Sequence, residues 1–250
     1  MTHDDQGAIP WQETDSAAFI ERGAVFTPAR DEIEAALLAL IPAHNDEAFT
    51  VVEIGVGAGW LSEAILRAYP NAAVVGRDGS PRMRQAAAAR LAPYGARADV
   101  RPFRLEDDAW LADLRDIRAF VSCLVIHHLD DGGKRALFAA LHERLAPGGA
   151  LLVADLVAPT SEPARRYAAR SWDAAVRRQS LDLTGDTAAY DEFVATQWNL
   201  FDTPDPVDMP SPLADQLHWL ADIGYVGADA FWVRAGHAVY GGYRASTSPP

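Results

Sequence analysis

One cysteine, Cys123, and three methionines are all the sulfur this 250-residue chain holds. A lone thiol cannot close an intrachain disulfide, which excludes a disulfide-stapled secreted module. Long apolar runs are missing too: the two longest, 119–126 and 150–158, are strand-sized, and Asp155 interrupts the second. Neither can span a bilayer, so no membrane partner is expected. Basic residues are scarce, 22 against 35 acidic ones, for a formal charge of −13. A nucleic-acid partner is not expected, because phosphate binding draws on clustered Lys and Arg. Residues 1–10 offer neither a basic nor an apolar leader segment, so the expected location is the cytoplasm. There is no internal repeat or low-complexity tract. What is present, 49% apolar residues with 23% charged, suffices for one large globular domain or two small ones.

Hydrophobic periodicity then divides the chain. Ile33, Leu37, Leu40 and Ile41 recur at helical spacing over 31–41 and stop at Pro42. Residues 49–54 form a short apolar, β-branched run, followed by Gly55, Gly57 and Gly59 and then by Leu61, Ile65, Leu66 and Tyr69 at helical spacing. The pattern is strand, glycine turn, helix. A second strand covers 72–76, and Ser80 before Pro81 reads as an N-cap with proline at the first helical position. Strands near 99–105, 119–126 and 151–157 follow, with a helix through Leu137, Leu141 and Leu145 that stops at Pro147-Gly148-Gly149. This alternation predicts an α/β doubly wound, Rossmann-like parallel sheet covered on both faces. Residues 1–48 read as an N-terminal segment and helix, 49–158 as a cofactor-binding core and 159–212 as an inserted helical cap. A helix and an antiparallel hairpin at 213–244 complete the core, and 245–250 are a tail.

The glycine turn has the spacing GxGxG. A dinucleotide fingerprint needs its third glycine one position later, where bulky Trp60 stands, and no Walker-type Gly-Lys-Ser/Thr ending exists. Asp78 closes the second strand nineteen residues after Gly59, where a carboxylate can accept from both hydroxyls of a ribose. A ribosylated cofactor held by glycine backbone and helix N-terminus is the expectation.

Four stretches carry a family resemblance: 51–59 (VVEIGVGAG), 76–83 (GRDGSPRM), 122–129 (SCLVIHHL) and 145–152 (LAPGGALL). In this order they resemble the successive motifs of class I S-adenosylmethionine-dependent methyltransferases. The resemblance implies a seven-stranded sheet with the last strand antiparallel, and S-adenosylmethionine as cofactor with S-adenosylhomocysteine as product. It implies that Glu53, Gly55, Gly57 and Gly59 hold the methionine portion, Asp78 and Gly79 the ribose, and Met83 one face of the adenine. Glu106 or Asp107 would meet the adenine amine, and Ser122 and Cys123 would lie along the cofactor edge of the fourth strand. The family's usual acid at the start of that strand is replaced by Arg118.

Methyl transfer from a sulfonium is an in-line displacement in which the cofactor carries the electrophile, so positioning and water exclusion are the protein's main tasks. His127 and His128, just past the fourth strand, are the candidate catalytic residues, as a base or as pocket wall. Adjacent histidines diverge on a regular backbone and match no ligand spacing, so no metal is expected. Trp172, Trp198, Asn199, Trp232, Arg234 and His237 are the candidate substrate contacts, since aromatic caps enclose small apolar or aromatic acceptors. The expected protein is a small-molecule methyltransferase at N, O, S or C, monomeric or homodimeric. The alternatives are another S-adenosylmethionine-using reaction on the same fold, an NAD-type oxidoreductase, or a non-catalytic binding protein.

Overall fold

The computed structural model describes residues 13–246, apart from the side chains of 14 and 15. The expectations for 1–12 and 247–250 lie outside the described residues. The chain runs α1 (Glu13–Phe26), α2 (Arg30–Leu40), β1 (Thr50–Ile54), α3 (Trp60–Ala68), β2 (Ala73–Asp78), α4 (Pro81–Leu91) and β3 (Ala98–Pro102). It continues through β4 (Ile117–Cys123), α5 (Asp131–Arg144), β5 (Leu145–Leu156), α6 (Glu162–Thr184), α7 (Ala188–Ala195), α8 (Leu213–Ile223), β6 (Val226–Arg234) and β7 (His237–Tyr243). The seven strands form one sheet in the order β3-β2-β1-β4-β5-β7-β6. Strands β1 to β5 pair in parallel, and β7 runs antiparallel to both β5 and β6. This is the α/β Rossmann-like sheet with its last strand antiparallel.

Both faces of the sheet are covered. Ile33 and Leu37 of α2 and Leu61 and Ile65 of α3 pack against Val51, Val121 and Leu152 on one face. Phe138 and Leu141 of α5 and Leu220 of α8 pack against Phe120, Leu151 and Tyr240 on the other. With helices on both sides, alternate residues of β1, β4 and β5 are all buried, which is why those strands read as continuous apolar runs.

Local chemistry sets the helix ends. Ser80 caps α4 by accepting from Met83 N at 3.1 Å with Pro81 following, Asp130 caps α5 from Gly133 N at 2.7 Å, and Ser161 caps α6 from Ala164 N. The boundaries differ from the periodicity in three places. β4 stops at Cys123, because Leu124 takes a left-handed conformation (φ +57°) and residues 126–128 form a 3-10 turn. β3 ends at Pro102 rather than near 105, and α5 ends at Arg144, so Pro147-Gly148-Gly149 lies inside β5.

The expected helix at 31–41 is α2, but α1 before it gave no clear periodic signal. Its contacts are spread over α4, α6 and α7 rather than along one stripe. Gln179 of α6 fastens the α1–α2 turn, accepting from Ala29 N at 2.8 Å and donating to Val25 O at 2.7 Å. Phe26, Trp172, Phe193 and Phe201 form a third core between α1 and the cap, seated on Leu156 at the end of β5.

Candidate active site

The carboxyl ends of β1, β2, β4 and β5 meet at one edge of the sheet. Gly55, Gly57 and Gly59 all have positive φ (+73°, +51° and +81°). At Gly55 a side chain is also excluded by space, since a Cβ would lie 2.1 Å from Val125 Cγ2; at Gly57 it would meet nothing within 4 Å. The turn is therefore closed beneath and open above, where backbone can approach a ligand. Asp78 is wired into it: its carboxylate accepts from Gly57 N and from Ser80 N, both at 2.9 Å. Burial raises the Asp78 pKa, and these two bonds oppose the rise. Glu53, fully buried below the turn, accepts from the Ser62 hydroxyl, and burial pushes its pKa up to about 8.

The remaining cofactor candidates divide. Ser122 is buried and donates to Ile54 O at 3.0 Å, tying β4 to β1, while Cys123 beside it is half-buried. Met83 is buried in the first turn of α4, and Gly79 is exposed. Glu106 and Asp107 stand exposed on the loop after β3, where Asp107 accepts from Ala109 N at 2.8 Å. Arg118 reaches Pro42 O at 2.8 Å and pairs with Glu47. A residue that sequence reasoning passed over, Arg30, joins the site: its guanidinium lies 4.1 Å over the Trp60 ring, and burial lowers its pKa against the pull of Cys123 and Glu53.

A pocket of about 370 Å³ opens under the cap. Leu124, His127, Trp172, Trp198, Asp208 and His237 are among its lining. Leu124 and Gln197, both in left-handed conformations that non-glycine residues rarely hold, also line it. Trp198 packs at a tilt against Phe26, ring centroids 5.2 Å apart, and Trp172 Nε1 donates to Phe26 O at 2.8 Å. His237 is fully buried, with Nδ1 2.9 Å from Ala235 O and no partner on Nε2. Burial lowers its pKa to about 4, so the ring is neutral and, with its proton on Nδ1, presents a lone pair at Nε2.

Three candidate substrate contacts are placed elsewhere. Asn199 is buried in the cap, donating to Ala169 O at 3.0 Å and to Asp173 at 2.8 Å, which orders the turn after α7. Trp232 Nε1 and the Arg234 guanidinium both bond Glu32 of α2, at 2.8 and 2.9 Å, because the hairpin lies against that helix. Arg234 borders a separate groove of about 590 Å³ between α6 and the hairpin turn.

His127 lies between two carboxylates. Asp155 holds Nδ1 at 2.5 Å and the backbone N–H at 3.0 Å, and Asp208 Oδ1 stands 3.3 Å from Nε2. Burial alone would lower its pKa; Asp155 and then Asp208 overcome that and raise it to about 10. Asp155 and Asp208 are held below the ordinary carboxylate range, against their own burial, chiefly by His127. Both ring nitrogens are thus engaged, so His127 as arranged has no free lone pair with which to take a proton. His128 is half-buried, its Nδ1 3.2 Å from Val207 O. Two site members had faint sequence signals. Asp155 interrupts the apolar run 150–158 as Glu53 interrupts 49–54, and Asp208 lies among the four prolines of 203–212.

Strand order, antiparallel closure and the glycine turn at the edge define the fold of class I S-adenosylmethionine-dependent methyltransferases. Residues 51–149 match the family model Methyltransf_25, a methyltransferase domain. The phenazine O-methyltransferase PhzM of Lysobacter antibioticus is 31% identical over 125 residues, 50% of this chain and 36% of PhzM. An O-methyltransferase family protein from Burkholderia thailandensis superposes with a TM-score of 0.64 at 16% identity, covering 95% of this chain and 64% of its own. PigF with SAH superposes with a TM-score of 0.58 at 15% identity, covering 93% and 60%. The chain spans about a third of the curated relative and less than two thirds of each of these two structures. No helix among the described residues is long and apolar enough to cross a membrane.

Proposed function

We propose that this chain transfers the methyl group of S-adenosylmethionine to a small molecule held under the helical cap. The observation that carries the reading is a juxtaposition along one short segment: Val125 packs against Gly55 of the glycine turn, which Asp78 braces, and the adjoining Leu124 lines the cap pocket. The residues present fit the cofactor. A carboxylate has about four lone-pair positions, and Asp78 spends two on backbone N–H groups, leaving two for ribose hydroxyls. Open space over Gly57 admits a ligand to backbone contact, and Arg30 is the cation to take an α-carboxylate, beside Glu53 for an amine. Met83, Gly79, Ser122, Cys123 and one of Glu106 and Asp107 complete the proposed cofactor contacts. That PigF has been solved with SAH, on this fold, supports the assignment.

When bound, the cofactor supplies an electrophilic methyl carbon, and the protein's residues do the rest. Trp172, Trp198 and Phe26 give the pocket an apolar wall that excludes water. His237 Nε2 accepts a hydrogen bond from an N–H or O–H of the acceptor and so orients the neighbouring nucleophile. Holding the reactants in register can supply about 7 to 11 kcal/mol of the barrier, so a dedicated base is not required. The O-methyltransferases among the similar proteins support an oxygen acceptor on a small, flat molecule. The single free cysteine is in keeping with a cytoplasmic setting. Calorimetry with S-adenosylhomocysteine and with NAD, followed by mass spectrometry of hydroxylated aromatics incubated with S-adenosylmethionine, tests the reading. Binding of the first ligand and gain of one methyl mass are expected; tight NAD binding without it would overturn the proposal.

A further inference from the structure

The expectation that His127 and His128 diverge does not hold. Leu124, in its left-handed conformation, turns the chain into the 3-10 segment Ile126–His128, and the two imidazoles come to 4.1 Å between centroids. Asp208 reaches both from the strap before α8. Its Oδ1 lies 3.3 Å from His127 Nε2 and 3.3 Å from His128 Nδ1, and the three donor atoms all fall within 4.8 Å of one another.

These separations suit two kinds of contact. An N–H···O hydrogen bond has its heavy atoms about 2.7–3.2 Å apart. Two donors sharing one tetrahedral ion, each about 2.0–2.1 Å from it, lie about 3.3–3.4 Å apart. The observed 3.3 Å lies at the edge of the first range and matches the second, so atoms placed to share a proton are also placed to share an ion. Asp155 adds an independent sign: by holding Nδ1 of His127 at 2.5 Å it fixes the tautomer that leaves Nε2 as the ligating atom, the carboxylate–histidine–metal arrangement. The strap is also set in advance. Met209 N donates to His127 O at 2.7 Å, and buried Lys134 donates to Met209 O and, at 2.8 Å, to Ser211 Oγ. Asp208 is therefore held in place from the residue that follows it.

We infer that His127 Nε2, His128 Nδ1 and Asp208 bind a divalent transition-metal ion of zinc-like preference, with Asp155 supporting His127 from behind; binding releases to solvent the protons that Nε2 shares with Asp208 and Nδ1 with Val207 O. Three protein ligands leave a fourth position open, as in catalytic rather than structural zinc sites. His127 and Asp208 line the cap pocket, so that position takes water or an acceptor oxygen. The acceptor part of this statement rests on the methyltransferase reading; the metal site does not.

The experiment is a titration of the untagged, chelator-treated 250-residue chain with cobalt(II) chloride, read by visible d–d absorption and by metal analysis after dialysis. S-adenosylhomocysteine affinity is measured on the same samples. One cobalt per chain is expected. Asp208→Asn and His128→Gln should each weaken binding at least about tenfold, and Asp155→Asn by about 10–100-fold. Asp222→Asn, on the exposed side of α8, should leave it unchanged. Absence of stoichiometric cobalt in the wild-type chain, or cobalt that survives both ligand substitutions, overturns the site. If S-adenosylhomocysteine binds while cobalt does not, the metal inference falls alone. If cobalt binds while S-adenosylhomocysteine does not, the methyltransferase reading falls and the metal site stands.

Discussion

Replacing Asp78 with alanine tests the cofactor geometry most directly. In the folded chain the carboxylate bridges the glycine turn and the start of α4, accepting from Gly57 N and Ser80 N at 2.9 Å each. Two further lone-pair positions are assigned to ribose hydroxyls. Hydrogen bonds to a charged group contribute about 1.5–3 kcal/mol each, so loss of the ribose pair alone removes at least about 3 kcal/mol. At 1.4 kcal/mol per decade that is about a hundredfold in affinity for S-adenosylhomocysteine. The two freed N–H groups belong to half-buried Gly57 and buried Ser80, so the substitution should also lower stability. Calorimetric titration at matched ionic strength, with a thermal melt of the same samples, separates the two. An Asp78→Ala chain that melts as the wild type and binds within about threefold of its affinity would show that the ribose is held elsewhere.

Three other outcomes are expected. Trp198→Ala should lower kcat/KM for the acceptor by about tenfold or more while S-adenosylhomocysteine affinity stays constant, because the ring lines the cap pocket and packs against Phe26; equal losses in both would mark Trp198 as a packing residue. His237→Phe keeps the ring's bulk but removes the Nε2 lone pair, leaving an acceptor's donor unpaired at about 1–3 kcal/mol, or roughly tenfold to a hundredfold in kcat/KM; unchanged kinetics would show that the acceptor does not meet this nitrogen. Glu53 concerns pH. Its folded pKa of about 8 lies above its ordinary 4.5, so between those values the unfolded chain has lost the proton that the folded chain keeps. Its contribution to the stability of the ligand-free chain is full below about pH 4.5 and is lost as pH rises toward 8. Glu53→Gln should flatten that decline in thermal melts between pH 5 and pH 8; an undiminished slope would show that another group causes it.

The order of strands and helices from 49 onward was legible in one dimension, because each signal is local. β1 and most of β5 are buried on both faces and so are largely apolar, the glycine turn needs positive φ, and Ser80-Pro81 caps a helix through contacts three residues long. Asp78 was legible for the same reason, lying a fixed number of residues from a turn it touches. The acceptor side was not. Asp208 reaches His127 across 81 positions of chain, Trp172 and His237 meet across 65, and α1 closes over them with no stripe of its own. Trp198, Trp232 and Asn199 carry equal weight as letters, yet one lines a pocket, one is bonded to Glu32 and one orders a turn. Periodicity records which face of an element is buried but not which distant element buries it. Packing alone brought two adjacent histidines onto one carboxylate, through a strained backbone at Leu124 that no pattern of residue types announces.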